Sequence, residues 1–112
     1  MLPKENRLPL RKELHRIQKE GKIFHFLFFS LLIAENNLSI SRFGFIVSKK
    51  IHKRAVKRNR VKRLLRASVY SFLAKLKPGF DAVFLTRKKI LTEDFQAVSA
   101  VVKEAFEKTG LL

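Results

Sequence analysis

Between Lys49 and Arg66 the chain carries ten Lys and Arg, together with His52, and no Asp or Glu. The cations do not close into one block, because Ile51, Ala55, Val56, Val61, Leu64 and Leu65 are interleaved among them. At about 100° per residue this mixture sorts itself on a helix. Val61, Leu64, Leu65, Ser68 and Phe72 fall on one stripe, and Asn59, Arg60, Lys62, Arg63 and Arg66 on the opposite arc. Such a helix buries Leu and Phe and projects a row of guanidinium and ammonium groups suited to phosphates. Lys57 and Arg58 depart from the division and point towards the apolar side in the first turn. Their expected place is beyond the sheet edge, where they widen the cationic surface around a helix N-terminus whose free N–H groups also favour anions. Asn59 has mediocre helix propensity and no charge, so it either hydrogen-bonds a bound nucleic acid or fixes neighbouring backbone.

The whole chain repeats this imbalance: 25 Lys and Arg stand against 9 Asp and Glu, a formal net charge of +16. Self-repulsion on that scale opposes compaction, and a polyanionic partner relieves it. Nucleic acid leads the possible partners, ahead of an anionic membrane surface and acidic proteins. The apolar share of 46%, with eleven Phe, is too high for a disordered basic tail, so the chain should fold. Its 112 residues suit one domain, residues 1–112, around a single core.

Without cysteine the chain has no disulfide, thiolate nucleophile or cysteine-ligated zinc, and it is compatible with a cytoplasmic location. Residues 1–10 lack the apolar core of a secretory signal. The apolar stretch Ile23–Ala34 contains His25 and Ser30 and falls short of the roughly 20 residues of a membrane span. No membrane role is expected.

Along the chain, Leu10, Leu14 and Ile17 predict a short amphipathic helix over residues 11–20, with Pro9 in its first turn and Gly21 as its stop. Ile23–Ala34 reads as one strand buried on both faces. A turn at Glu35-Asn36-Asn37 leads to a second strand, Leu38–Ser48, as a hairpin. The basic helix should run from about Arg54 to Lys75 and stop before Lys77-Pro78-Gly79. Phe80–Thr86 reads as a strand, and Thr92 as the cap of a last helix carrying Phe95, Val98, Val102 and Phe106. The sum is an α+β sandwich with helices on one sheet face and another surface left for a ligand.

No catalytic constellation emerges. His15, His25 and His52 lie on different predicted elements without acidic partners at metal-ligand spacing. Asp81, Glu93 and Asp94 could in principle hold a metal, but Glu93 and Asp94 suit the positive end of a helix dipole. Among rival classes, a ribosomal protein would share the charge, size and a small α+β fold. A sequence-specific DNA binder lacks the second helix that helix-turn-helix geometry needs.

The string Phe43-Gly44-Phe45-Ile46-Val47-Ser48-Lys49-Lys50, followed by Ala55-Val56-Lys57-Arg58-Asn59-Arg60-Val61-Lys62-Arg63-Leu64-Leu65-Arg66, resembles the signature of the bacterial ribonuclease P protein family. Its centre is Arg58-Asn59-Arg60. A bare Arg-Asn-Arg is weak, but joined to the preceding Ser-Lys-Lys and the following Val-Lys-Arg-Leu-Leu-Arg it is highly specific. At lower strength the resemblance runs from about Arg7 to Phe106.

It implies a single-domain α/β sandwich of order α-β-β(-β)-α-β-α, with a left-handed βαβ crossover where physics alone would choose a right-handed one. It further implies an accessory subunit of a catalytic RNA that removes the 5′ leader of precursor tRNA, with no catalytic side chain here. Mg2+ would be held mainly by the RNA subunit and substrate, and none tightly by the protein alone. Lys49, Lys50, Lys53, Arg54, Lys57 and Arg58, with Asn59, Arg60, Lys62, Arg63 and Arg66, would face RNA. A leader cleft between the first helix and the sheet would include Phe29, Arg42 and Phe45, with Phe29 equally readable as an ordinary core Phe. Leu14 and Gln18 depart from the family pattern, standing where aromatic residues are often found.

Overall fold

The computed structural model describes residues 2–112. Its regular elements are α1 (Leu10–Glu20), β1 (Lys22–His25), β2 (Phe29–Glu35), β3 (Arg42–Ile46), α2 (Ala55–Phe72), β4 (Phe80–Thr86) and α3 (Phe95–Thr109). Short 3-10 turns occupy Lys4–Asn6, Leu73–Lys75 and Lys88–Thr92. The fold is α+β, as expected. The four strands lie in the order β1-β2-β4-β3. β4 is antiparallel to β2 and parallel to β3, so α2 is the crossover between two parallel neighbours.

That order corrects two expectations. The apolar run from Ile23 to Ala34 is two strands, β1 and β2, paired with Phe24 opposite Leu31. The reversal at Phe26-Leu27-Phe28 lacks Gly, Pro and Asn; packing holds it, since Phe28 is buried and the Phe26 ring lies 5.9 Å from that of Phe29. Phe26 N–H also donates to the Phe29 carbonyl at 2.9 Å, and Arg87 N–H to that of Phe28 at 2.9 Å. The expected hairpin of β2 with β3 does not form. Asn37 does turn the chain with a φ of 57°, but β3 is shorter than foreseen and β4 inserts between the two. Ala82, Val83 and Phe84 have no exposed surface, and a strand apolar on both faces belongs in the middle of a sheet.

Alternation along the strands gives the sheet two different faces. Phe29, Leu31, Phe43, Phe45, Ala82 and Phe84 point to the side covered by α2 and α3, where Val61, Leu65, Val69, Val98, Val102 and Phe106 complete the main core. The second face carries Leu32, Ala34 and Val83, and α1 packs on it through Ile17, Leu14 and Leu10. It is therefore covered in part by α1, and the remainder is left open. Ile46 and Leu85 on it stay half-buried, and Ile23 is 49% exposed. Gly21 allows α1 to end against the sheet: a Cβ there would sit 2.5 Å from the Ile17 carbonyl oxygen and 2.8 Å from that of Ile33.

An ionic cluster fixes α1 to the sheet. The Asp81 carboxylate, fully buried, accepts from Arg42 Nε at 2.9 Å and Arg42 Nη2 at 2.8 Å, from Asn36 Nδ2 at 2.9 Å, and from Arg16 Nη2. Glu13 accepts from Arg16 Nε at 2.8 Å and lies 3.7 Å from Arg42 Nη2. Burial alone would raise the Asp81 carboxyl, but hydrogen bonds from Arg42 and Asn36 and the charges of Arg42 and Arg16 hold it below the ordinary Asp value. Asp81 is thus an internal counter-ion. The last helix is capped by Asp94, whose Oδ1 accepts from Ala97 N–H at 2.9 Å, and not by Thr92, which closes the preceding 3-10 turn.

Candidate nucleic-acid interface

On α2 the apolar stripe forms as the spacing requires. Val61, Leu65 and Ser68 are buried, Leu64 and Phe72 half-buried, and Val69 joins them. The outer surface of the helix carries its cations beside exposed Val56 and Tyr70, and its arginines differ in what they are free to do. Arg54, Lys57 and Arg63 are exposed, as are Asn59 on the helix and Lys49, Lys50 and Lys53 in the turn before it. Arg54 precedes the first helical residue; no side chain caps this end, and its first turn carries no acidic residue. The open N–H groups therefore add to the positive potential of the side chains.

Arg58 folds back, its Nη1 donating to the carbonyls of His52 at 2.9 Å and Lys53 at 2.7 Å, so it fastens the turn to the helix. His52 Nδ1 accepts from the Arg54 N–H at 3.0 Å. Arg60 reaches sideways, donating from Nη1 to the Leu91 carbonyl at 3.3 Å and from Nη2 to that of Glu93 at 3.1 Å. A cleft of about 320 Å3 lies beside it, lined by His52, Lys57, Arg60, Leu91 and Thr92. Lys62 and half-buried Arg66 lie on the opposite flank, with Arg66 Cζ 5.9 Å from the centre of the Phe45 ring.

This division predicts unequal substitutions. Arg60→Ala should cost about 1–2 kcal/mol of folding stability, because two backbone carbonyls lose charged donors. Arg63→Ala should leave stability within about 0.5 kcal/mol while weakening RNA binding. Urea denaturation and RNA titration of both variants check this; equal stabilities would refute the bracing role of Arg60.

The three residues expected in a cleft beside the first helix are otherwise engaged. Phe29 has no exposed surface and points to the α2–α3 side, its ring 4.9 Å from that of Phe84. It is a core residue with no face to offer a base. Arg42 is on the α1 side but is bound to Asp81 by both its Nε and Nη2. Phe45 also points to the α2–α3 side and stacks on Phe84 at 5.2 Å, with 8% of its surface open. Leu14 is half-buried in the α1 contact and Gln18 is exposed. Neither residue offers an aromatic ring to the open part of the second face.

Sequence reasoning missed a group next to that face. Arg87 Nη2 donates to Ser30 Oγ at 2.9 Å and lies 3.2 Å from His25 Nδ1, which is itself 2.7 Å from Ser30 Oγ. Lys88 and Lys89 follow, both exposed. The signal available was the run Arg87-Lys88-Lys89 directly after a strand. Among the described residues no group of three His, Asp or Glu side chains is placed to hold a metal ion, and no helix is long and apolar enough to cross a membrane.

An α+β sandwich with an exposed row of cations on one crossover helix defines a protein built to dock on a polyanion. Comparison with known proteins makes the class specific. The sequence profile of the family described as Ribonuclease P matches residues 2–110. The ribonuclease P protein component of Caldanaerobacter subterraneus subsp. tengcongensis is 37% identical over 111 residues, spanning 99% of this chain and 95% of that protein. That of Clostridium botulinum is 35% identical over 109 residues, spanning 96% and 97%. The solved RNase P protein of Thermotoga maritima superposes with a TM-score of 0.84 at 31% identity, covering 91% of this chain and 96% of the other. The chain belongs to the ribonuclease P protein family.

Proposed function

We propose that this chain, as the protein component of ribonuclease P, lays the exposed face of α2 on phosphates of the catalytic RNA and contacts the 5′ leader of precursor tRNA. The ribonucleoprotein hydrolyses one phosphodiester bond, releasing the leader and leaving the mature tRNA with a 5′ phosphate. The RNA subunit carries the hydrolysis, and the protein screens phosphate repulsion and steadies the leader in the cytoplasm.

The observation that carries this reading is the set of exposed cations Arg54, Lys57 and Arg63 on a helix with no acidic residue in its first turn. A cationic face repels Mg2+, so the donor chemistry does not suit metal binding by the protein, and the ion belongs with RNA and substrate phosphates. Leader contact is assigned to the uncovered part of the second sheet face, where Arg87, Lys88 and Lys89 supply charge. With Phe29 buried, it rests on phosphate contacts more than on stacking.

The test is reconstitution with a bacterial ribonuclease P RNA and a precursor tRNA at low magnesium. The protein should accelerate leader release and lower the Mg2+ required. A rate equal to that of the RNA alone would overturn the assignment.

A further inference from the structure

On the flank of α2 away from Arg60, a groove of about 180 Å3 opens along the outer edge of β3. Leu2, Leu8 and Leu10 from the N-terminal segment and α1 give it apolar walls, with Phe45 opposite. Arg7, Lys62 and Arg66 also line it, and no acidic residue does. β3 is an edge strand, and among the described residues its one backbone bridge to the N-terminal segment lies at Phe43, whose carbonyl accepts from Leu8 N–H at 3.0 Å. Peptide groups of alternate residues face the same side of a strand, so those of Phe45 point to this outer edge. Among the described residues no backbone group there pairs with them.

The parts are complementary to one kind of ligand. The groove exceeds the roughly 150 Å3 that accommodates a benzene-sized ring. A planar base suits apolar walls, an unpaired N–H and C=O can read its edge, and cations around the mouth hold the flanking phosphates. Arg66 already lies over the Phe45 ring, leaving the other plane of its guanidinium for a base.

The geometry points to this groove as the seat of one unpaired nucleotide of the catalytic RNA, its base against Leu8, Leu10 and Arg66 and its phosphates at Lys62 and Arg7. The inference rests on the proposed function, because Lys62 and Arg66 belong to the helix assigned to that RNA; the leader is assigned to the second sheet face. An added peptide strand fits less well. The open edge is short, since the N-terminal segment already takes the Phe43 position, and three cations stand around it.

Two measurements test it. Isotope-labelled protein is titrated with a mixed-sequence RNA octamer and with an abasic ribose-phosphate octamer of equal charge. The base-bearing chain should bind about fivefold tighter or more, and it alone should shift the Gly44 and Phe45 amide signals. Equal affinities and equal shifts would overturn the base slot and leave charge only. Movement of those signals by an acidic strand-forming peptide and not by RNA would overturn it in favour of strand addition.

Because the chain has no cysteine, Ala67→Cys, at an exposed position next to Arg66 that does not line the groove, provides a single attachment point for an aryl azide in the reconstituted complex. Crosslinks to unpaired nucleotides of the ribonuclease P RNA support the inference. Crosslinks to the leader or to paired helices, or none, overturn it. Leader release by the wild-type protein reports the proposed function separately, so the two readings fail independently.

Discussion

Simultaneous replacement of Arg54, Lys57 and Arg63 by alanine should weaken binding of the catalytic RNA by about two orders of magnitude at about 0.1 M salt. All three side chains are exposed, so folding stability should change by less than about 1 kcal/mol. Each phosphate contact removed lowers the slope of log affinity against log salt by about 0.7–0.9, so the triple variant should lose about 2–3 units of slope. Binding measured across a salt series separates this from a loss of shape. A weaker affinity with an unchanged slope would mean that these residues do not meet phosphates.

The second large effect belongs to Asp81. Asp81→Ala should lower folding stability by about 3 kcal/mol, because the guanidinium groups of Arg42 and Arg16 lose the carboxylate between them. Their side chains are 17% and 29% exposed, so water partly compensates, which places the cost at the lower end for broken buried pairs. For a chain of this size the melting temperature should fall by more than about 10 °C.

Acid should act on the same carboxylate. Its folded-state pKa is depressed, so its contribution is whole above the ordinary Asp value of about 3.9 and is lost as pH falls through the folded value. The stability gap between wild type and Asp81→Asn should therefore stay constant from pH 7 to about pH 4 and narrow below it. A gap independent of pH down to acid unfolding would show that the charge of Asp81 contributes nothing.

What could be read in the sequence follows from how local each signal is. The stripe on α2 and the limits of β4, Phe80–Thr86, depend on spacing within one element, and both agree with the structure. The turn at Phe26-Leu27-Phe28 was hidden because its residues are as apolar as the strands they join; only packing distinguishes them. Arg42 seemed free because its partner Asp81 is 39 residues away in sequence. Between a cleft aromatic and a core Phe, Phe29 is the latter, because the register of β2 puts it with Leu31 facing α2 and α3. Arg60 lay on the polar arc, and no helical wheel could reveal the carbonyls of Leu91 and Glu93 waiting beside it. The family signature was legible because it needs only order and residue type; which cations are spoken for is a three-dimensional property.

The central place of β4 sets the order in which the molecule can be made. β2 and β3 leave the ribosome well before residues 80–86 and have no contact with each other in the sheet that would hold them in register. Until β4 is available, α2 has no finished apolar floor and its charges repel one another along an unsupported segment. Sheet closure is thus a late, long-range event, the kind that slows folding. An RNA strand that met the emerging basic segment would relieve its repulsion, so assembly with the nucleic acid and completion of the fold can assist each other.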